Sequence, residues 1–375
     1  MAMKNFNRRD WLKSAGLAGS ATLFGSYATH SATLFESTAN AQSIDNVVQL
    51  NANENPYGPS ALVRRAMIDA FEKACRYPFR YTSELISQIA EKEGVTADHI
   101  VLTAGSTEGL RLTGLVHGMH GGEIIAADPT FQALMKYADN FGASINRVPL
   151  NHKMQHDLIE MDRRINSNTR LVFICNPNNP TGMLLPAGEL IDFCEINSKR
   201  TMIFSDEAYY DFIEDRGYPS MTRHVKKGRN VIVSRTFSKV YGLAGIRIGY
   251  LVARPDIAKK INEAIVASTN VLGIYAALAA LKDKDFYDKS IDRNRVAKRL
   301  FYDAFEELDI KYLRSQTNFV FFKTGQKIHD FILKMRKEGV AVGRPFPPLL
   351  NWCRVSTGIP EANRQFTNAL KTVLG

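Results

Sequence analysis

The sequence reads as an α/β protein, a largely parallel sheet with helices on both faces followed by a second, smaller α/β unit. Three observations predict this. From about residue 98 to 253, short apolar runs alternate with longer stretches of helical periodicity, the pattern of strands joined by crossover helices. Beyond them, residues 285–308 carry the apolar spacing of one long amphipathic helix. Three further strand-like pieces follow at 318–323, 340–343 and 352–356, with a helical pattern between the first two.

The candidate strands of the first sheet are, in order, 100–103, 123–127, 144–148, 171–175, 201–205, 231–234 and 248–253. In sheets of this kind binding sites gather beyond the carboxyl ends of the strands. Residue types that can do chemistry fall at those ends. No internal repeat, heptad run or low-complexity tract interrupts the pattern after the leader.

A chain of 375 residues can bury a large core and is long enough for two domains. Hydrophobic content of 45% and charged content of 23% are those of a globular protein. The net charge of +10 is spread among 38 acidic residues without a dense basic block interleaved with aromatics, so nucleic-acid binding is not expected. Asn7-Arg8-Arg9-Asp10-Trp11-Leu12-Lys13 has a twin-arginine pattern, and residues 14–28 form a weakly apolar stretch. Ala39-Asn40-Ala41 then places small residues where a signal peptidase reads. The stretch is too short and too polar to span a bilayer, so stable membrane insertion is not expected. A cleaved Tat-type signal peptide over residues 1–41 is expected instead, with passage through the Tat translocase and a periplasmic location. Cys75, Cys175, Cys194 and Cys353 are widely spaced, form no metal-type pair and are expected to be free thiols.

Lys239 lies in Ser234-Arg235-Thr236-Phe237-Ser238-Lys239-Val240-Tyr241-Gly242-Leu243-Ala244-Gly245-Ile246-Arg247, just after the apolar run Val231-Ile232-Val233. Flanking hydroxyls, an arginine eight residues on and a glycine-punctuated turn suit a Schiff-base lysine beside a phosphate; a surface lysine after a strand is the plainer alternative. Cys175 leads into Asn176-Pro177-Asn178-Asn179-Pro180-Thr181-Gly182, a turn whose prolines and glycine hold an amide at a defined angle. Asp206 ends another strand, with Tyr209 three residues later. It can cap a helix or hold a ring nitrogen protonated. Ser106 and Thr107 open a helix after Val101-Leu102-Thr103-Ala104-Gly105, as caps or as a phosphate site. Phe131 follows Pro129-Thr130 at the next strand end, as core or as a ring laid against a cofactor.

Together these features resemble the fold-type I pyridoxal-phosphate aminotransferases of class I/II, and among them the histidinol-phosphate aminotransferase group. The motifs match in family order from Leu50-Asn51-Ala52-Asn53-Glu54-Asn55-Pro56-Tyr57 to Arg354-Val355-Ser356-Thr357-Gly358. The resemblance implies pyridoxal 5'-phosphate as cofactor, bound covalently by Lys239, which also carries the substrate proton. It implies that Asp206 pairs with the ring nitrogen, Asn179 and Tyr209 with the phenolic oxygen, and that Phe131 stacks on the ring. Ser106, Thr107, Thr236, Ser238 and Arg247 are implied as phosphate ligands, and Arg354 as the clamp for the substrate carboxylate. Tyr77 matches a tyrosine that reaches the cofactor of a neighbouring subunit, which implies a homodimer with shared sites. Asn55, Tyr57 and Arg344 fall in the two segments that meet the substrate side chain. An N-terminal arm over 42–75, a large cofactor-binding domain over 76–282 and a small domain over 283–375 complete the expected organisation.

The implied reaction moves an amino group between an amino acid and a 2-oxo acid by a ping-pong mechanism. A decarboxylase resembling threonine-phosphate decarboxylase shares Lys239, Asp206 and Arg354 and stands as the alternative. Histidine biosynthesis is cytoplasmic, so the leader points to free amino acids, aromatic or otherwise hydrophobic, rather than to histidinol phosphate itself.

Overall fold

All seven apolar runs between residues 100 and 253 form strands of one sheet. The computed structural model describes residues 47–375; the twin-arginine leader and its cleavage point lie outside the described residues. After β1 (Val48–Gln49) come β2 (Ile100–Thr103), β3 (Glu123–Asp128), β4 (Ser144–Pro149), β5 (Thr169–Cys175), β6 (Met202–Asp206), β7 (Val231–Thr236) and β8 (Gly249–Ala253). The sheet order is β2-β8-β7-β6-β5-β3-β4. The neighbours from β4 through β7 pair in parallel. β8 runs antiparallel to both β7 and β2, so the sheet is mixed. The reason is the connection. Between Thr236 and Gly249 the chain has a turn and one short 3-10 segment, Ala244–Ile246, too little for the crossover that a parallel return requires.

Side-chain alternation along the strands sorts the core onto two faces. Phe173, Phe204, Ile232 and Leu251 pack on one side with Leu110 and Met135. Val172, Ile203, Val231 and Val233 pack on the other with Leu85 and Ile274.

The long helix, Lys284–Glu307, leads to β9 (Tyr312–Leu313), β10 (Phe319–Lys323), the helix Ile328–Lys337, β11 (Val340–Ala341), β12 (Trp352–Ser356) and a last helix, Pro360–Leu374. β10 lies between β9 and β12 in an antiparallel sheet. β11 does not join that sheet; it pairs in parallel with β1 of the arm. Phe301, Phe305, Phe322, Phe331 and Phe366 form a third core cluster here, with Leu50 of the arm among them. All four cysteines are free. Among the described residues no helix is long and apolar enough to cross a membrane, and no group of acidic, histidine or cysteine side chains is arranged to hold a metal.

Candidate active site

Register sets the floor of the site. Cys175 on β5 pairs with Asp206 on β6, and Asp206 pairs with Ser234 on β7. Three carboxyl ends therefore lie side by side, with side chains of one parity on one face. Above them is a cavity of about 400 Å³. Lys239, Asp206, Tyr209, Asn179 and Phe131 line it, as do Ser106, Thr107, Ser238 and Arg247 at one end and Arg344 and Arg354 at the other.

The first end is built to receive an anion. The helix Ser106–Gly118 starts here, after Gly105 with φ of 82°. A Cβ on Gly105 would lie 2.4 Å from Arg247 Nη2, and a Cβ on Gly249 would lie 2.7 Å from the Ser106 nitrogen. These two glycines let the guanidinium and the helix start come together. Arg247 is itself left-handed, with φ of 61°, and its Nη1 donates to the Ala244 carbonyl at 2.7 Å. A cation, a helix N-terminus and the hydroxyls of Ser106, Thr107 and Ser238 converge on one spot, a combination that suits a phosphate dianion. Thr236 does not line the cavity; its buried Oγ1 accepts the Ser238 N–H at 3.0 Å and shapes the turn beneath.

At the other end Arg354, on β12, donates from Nη1 to Asn179 Oδ1 and from Nη2 to the Asn51 carbonyl, both at 2.7 Å. Its guanidinium lies 5.4 Å from the Phe319 ring and 5.0 Å from the Phe346 ring, and its buried Nε has no partner among the described residues. Burial lowers its pKa to about 10, which leaves it charged at neutral pH. Arg344, exposed, lies 4.4 Å from the Phe346 ring centre.

Between the two ends Lys239 Nζ donates to the Asn53 carbonyl at 2.9 Å. Asn53 is left-handed, with φ of 55°. Its Nδ2 donates to the Tyr209 hydroxyl at 2.8 Å, and Ser356 Oγ donates to its Oδ1 at 2.9 Å. One arm residue thus ties Lys239, Tyr209 and β12 together. Burial, with the positive charge of Arg354 adding to it, pulls the Lys239 amine down to about 8, against an opposing effect of Glu54. Burial pushes the Asp206 carboxyl up to about 7, although it accepts the Ala208 N–H at 3.3 Å. The Tyr209 phenol is raised by burial and stays neutral. Perturbed acids and bases gathered in one cavity mark a functional site. Asn178 joins the turn bearing Asn179 to that bearing Phe131: its Oδ1 accepts from Thr130 Oγ1 at 2.7 Å and its Nδ2 donates to the Pro129 carbonyl at 3.2 Å.

Besides Thr236, three expected residues lie outside the cavity. Asn55 does not line the cavity: its Nδ2 is spent on the Val240 carbonyl at 2.8 Å and Ser290 Oγ at 3.0 Å, which fastens the arm to the Lys239 turn. Tyr57 lies outside too, under the Arg293 guanidinium at 4.2 Å. Tyr77 is 81% exposed and stacked on Phe79 at 5.8 Å, away from this chain's own cavity. Sequence reasoning placed Asn53 and Glu54 in the arm segment that meets the substrate but singled out Asn55 and Tyr57 instead, and it read Cys175 only as a strand end. For Asn53 a signal existed, since asparagine is one of the few non-glycine residues that tolerate the left-handed region.

Residues 45–370 match the aminotransferase class I and II family. This chain belongs to that family. It is 36% identical to a histidinol-phosphate aminotransferase of Moorella thermoacetica over 88% of this chain and 86% of the relative. It is 34% identical to the one of Caldicellulosiruptor saccharolyticus over 88% and 93%. A candidate histidinol-phosphate aminotransferase from Erwinia carotovora atroseptica, solved as a crystal structure, superposes with a TM-score of 0.85 at 32% identity, covering 88% of this chain and 96% of that one. The mixed sheet is that of the fold-type I transferases. The enzyme is a pyridoxal-phosphate-dependent aminotransferase, and the cavity fits its cofactor: an anion cradle at one end, a lysine amine in the middle and a buried carboxyl in the wall.

Gly105→Ala tests the cradle. The added methyl displaces Arg247 and meets a positive φ, so apoenzyme titrated with pyridoxal 5'-phosphate should bind it about tenfold or more weakly. Unchanged affinity would show that Arg247 does not depend on this glycine.

Proposed function

We propose that this aminotransferase takes the amino group from a donor carrying an anionic group at Arg354 and passes it to a 2-oxo acid in ping-pong fashion through Lys239. The observation behind this reading is the placement of a depressed-pKa lysine between a phosphate cradle and an arginine with a free Nε. When bound, the cofactor supplies a carbonyl for amine capture and a ring that draws electrons from the substrate Cα. Ser106, Thr107, Ser238 and Arg247 would hold its phosphate, with Thr236 setting the turn beneath. Asp206 would pair with its protonated ring nitrogen, whose charge would draw the carboxyl pKa down. Tyr209 and Asn179 would meet its ring oxygen, and Phe131 would lie against its ring. Lys239 Nζ takes the proton from Cα and returns it. Arg354 aligns the bond to be broken by fixing the donor's anionic end, as charge-assisted pairs do.

The relatives' names support histidinol phosphate or a similar donor. Arg344 and Arg354, facing the same end of the cavity, support a donor with an anionic side chain as well as an amino acid carboxylate. An aromatic preference has less behind it, because Tyr57 does not line the cavity and Phe346 is buried under the two arginines. We also propose the Tat leader with periplasmic delivery, and the division into arm, large and small domains at residues 42–75, 76–282 and 283–375. A homodimer with Tyr77 reaching the partner's site is proposed on the exposed Phe71, Tyr77 and Phe79.

Half-reactions with a panel of amino acids and L-histidinol phosphate, read by mass spectrometry, should yield keto products. Amine products would replace transamination by decarboxylation. With apoenzyme, covalent capture of the cofactor should follow the neutral fraction of Lys239. A lowered pKa means that the proton leaves as pH rises through about 8, so the rate climbs about tenfold per pH unit below 8 and levels above it. A rate still climbing past pH 10 would contradict the lowered pKa. For the assembly and export proposals, light scattering should give twice the chain mass and fractionation a periplasmic enzyme; a monomer or a cytoplasmic enzyme would exclude them.

A further inference from the structure

The opposite face of the sheet carries a second cavity. Arg235 neighbours Thr236 on β7 and points to the other side. There it meets Glu207, the chain neighbour of Asp206, at 2.9 Å. A cavity of about 550 Å³ opens beside it, lined in part by Lys92, Glu93, Tyr210, Arg223, Lys226 and Arg235.

Four cationic side chains line it, Lys92, Arg223, Lys226 and Arg235, against two carboxylates, Glu93 and Asp211. Both carboxylates already accept hydrogen bonds. Glu93 receives the Tyr250 hydroxyl at 2.7 Å and the Thr222 hydroxyl at 3.4 Å, and Asp211 receives the Tyr287 hydroxyl at 2.8 Å. The donors are in excess. Arg235 is 7% exposed and packed 3.9 Å over the Tyr210 ring, and its Nε–H has no acceptor among the described residues. Arg223 and Lys226 form no ion pair among the described residues, while the nearby salt bridges are made by Lys227, Arg229 and Arg235. Lys92 gives one proton to the Tyr241 hydroxyl at 2.8 Å and keeps two. A buried guanidinium with an N–H left unpaired is costly, and an anion seated beside it offsets part of that cost through its charge. A neutral ligand can accept from these donors, but only an anion also gains the charge-assisted part of the interaction.

We propose that this cavity binds a small polyanion, a phosphate ester or a di- or tricarboxylate of metabolite size, seated on Arg235, Arg223 and Lys226. Its lining residues Tyr210 and Arg235 are the chain neighbours of Tyr209 and Thr236, yet it shares no lining residue with the site above.

The test uses the holoenzyme, whose cofactor phosphate fills the first anion cradle. Calorimetric titrations with inorganic pyrophosphate and with citrate, at constant ionic strength, should show saturable binding of one probe or both, near one per chain. The tighter probe identifies the anion class. Arg223 and Lys226 are exposed, so the double variant R223A/K226A should keep its fold, as read by circular dichroism. It should bind about tenfold or more weakly, whereas R344A, at the substrate end, should bind as the wild type does. The proposal is overturned by no saturable binding of either probe, by a loss of less than tenfold in R223A/K226A, or by a loss in R344A.

Discussion

The parallel register of β5, β6 and β7 is the constraint on which the rest depends. It brings Cys175, Asp206 and Ser234 to one level on one face. A slip of one residue would send Asp206 to the opposite face, where Glu207 and Arg235 now meet. The register is held by apolar alternation above and below the sheet, with Phe173, Phe204 and Ile232 on one side and Val172, Ile203 and Val233 on the other. Packing energy far from the chemistry therefore fixes where the carboxylate stands.

Burial then gives the site its electrostatics. Asp206 and Lys239 share a cavity wall and a low-dielectric surrounding, so both are pushed towards their neutral forms. Arg354 is kept charged because a guanidinium resists deprotonation, and its two hydrogen bonds to Asn179 and Asn51 hold it near the Phe319 and Phe346 rings. Asp206 would thus regain its charge beside a protonated ring nitrogen, and Lys239 would offer a carbonyl an amine that loses its proton easily. Asn53 sets the geometry at the centre, with its backbone on Lys239 and its side chain on Tyr209 and Ser356.

Much of this was legible in the chain. Each of the seven apolar runs became a strand, because a buried strand of β-branched and aromatic residues has few other places to go. Lys239, Asp206 and Asn179 could be picked out because each follows an apolar strand in a motif of defined spacing, and Arg354 because its motif falls in the order of the family that the chain resembles. The direction of β8 is not carried by its apolar run; it follows from the helix-free connection after β7, whose form appears only in the structure. The pairing of β11 with β1 was equally hidden, for it joins residues almost 300 positions apart. Asn55 and Tyr57 share a motif with Asn53, but one left-handed residue turns the arm so that Asn53 faces the cavity and its neighbours brace the Lys239 turn.

The sequence by itself determined the list of elements, the class of chemistry and most of the groups that carry it, because those follow from local periodicity and from residue types with few uses. Only the tertiary structure decided which of those groups share one cavity, which brace it from behind, and which donors on the reverse face are left without partners. Those outcomes depend on strand register, on long-range pairing and on burial, and none of them exists until the chain has closed on itself.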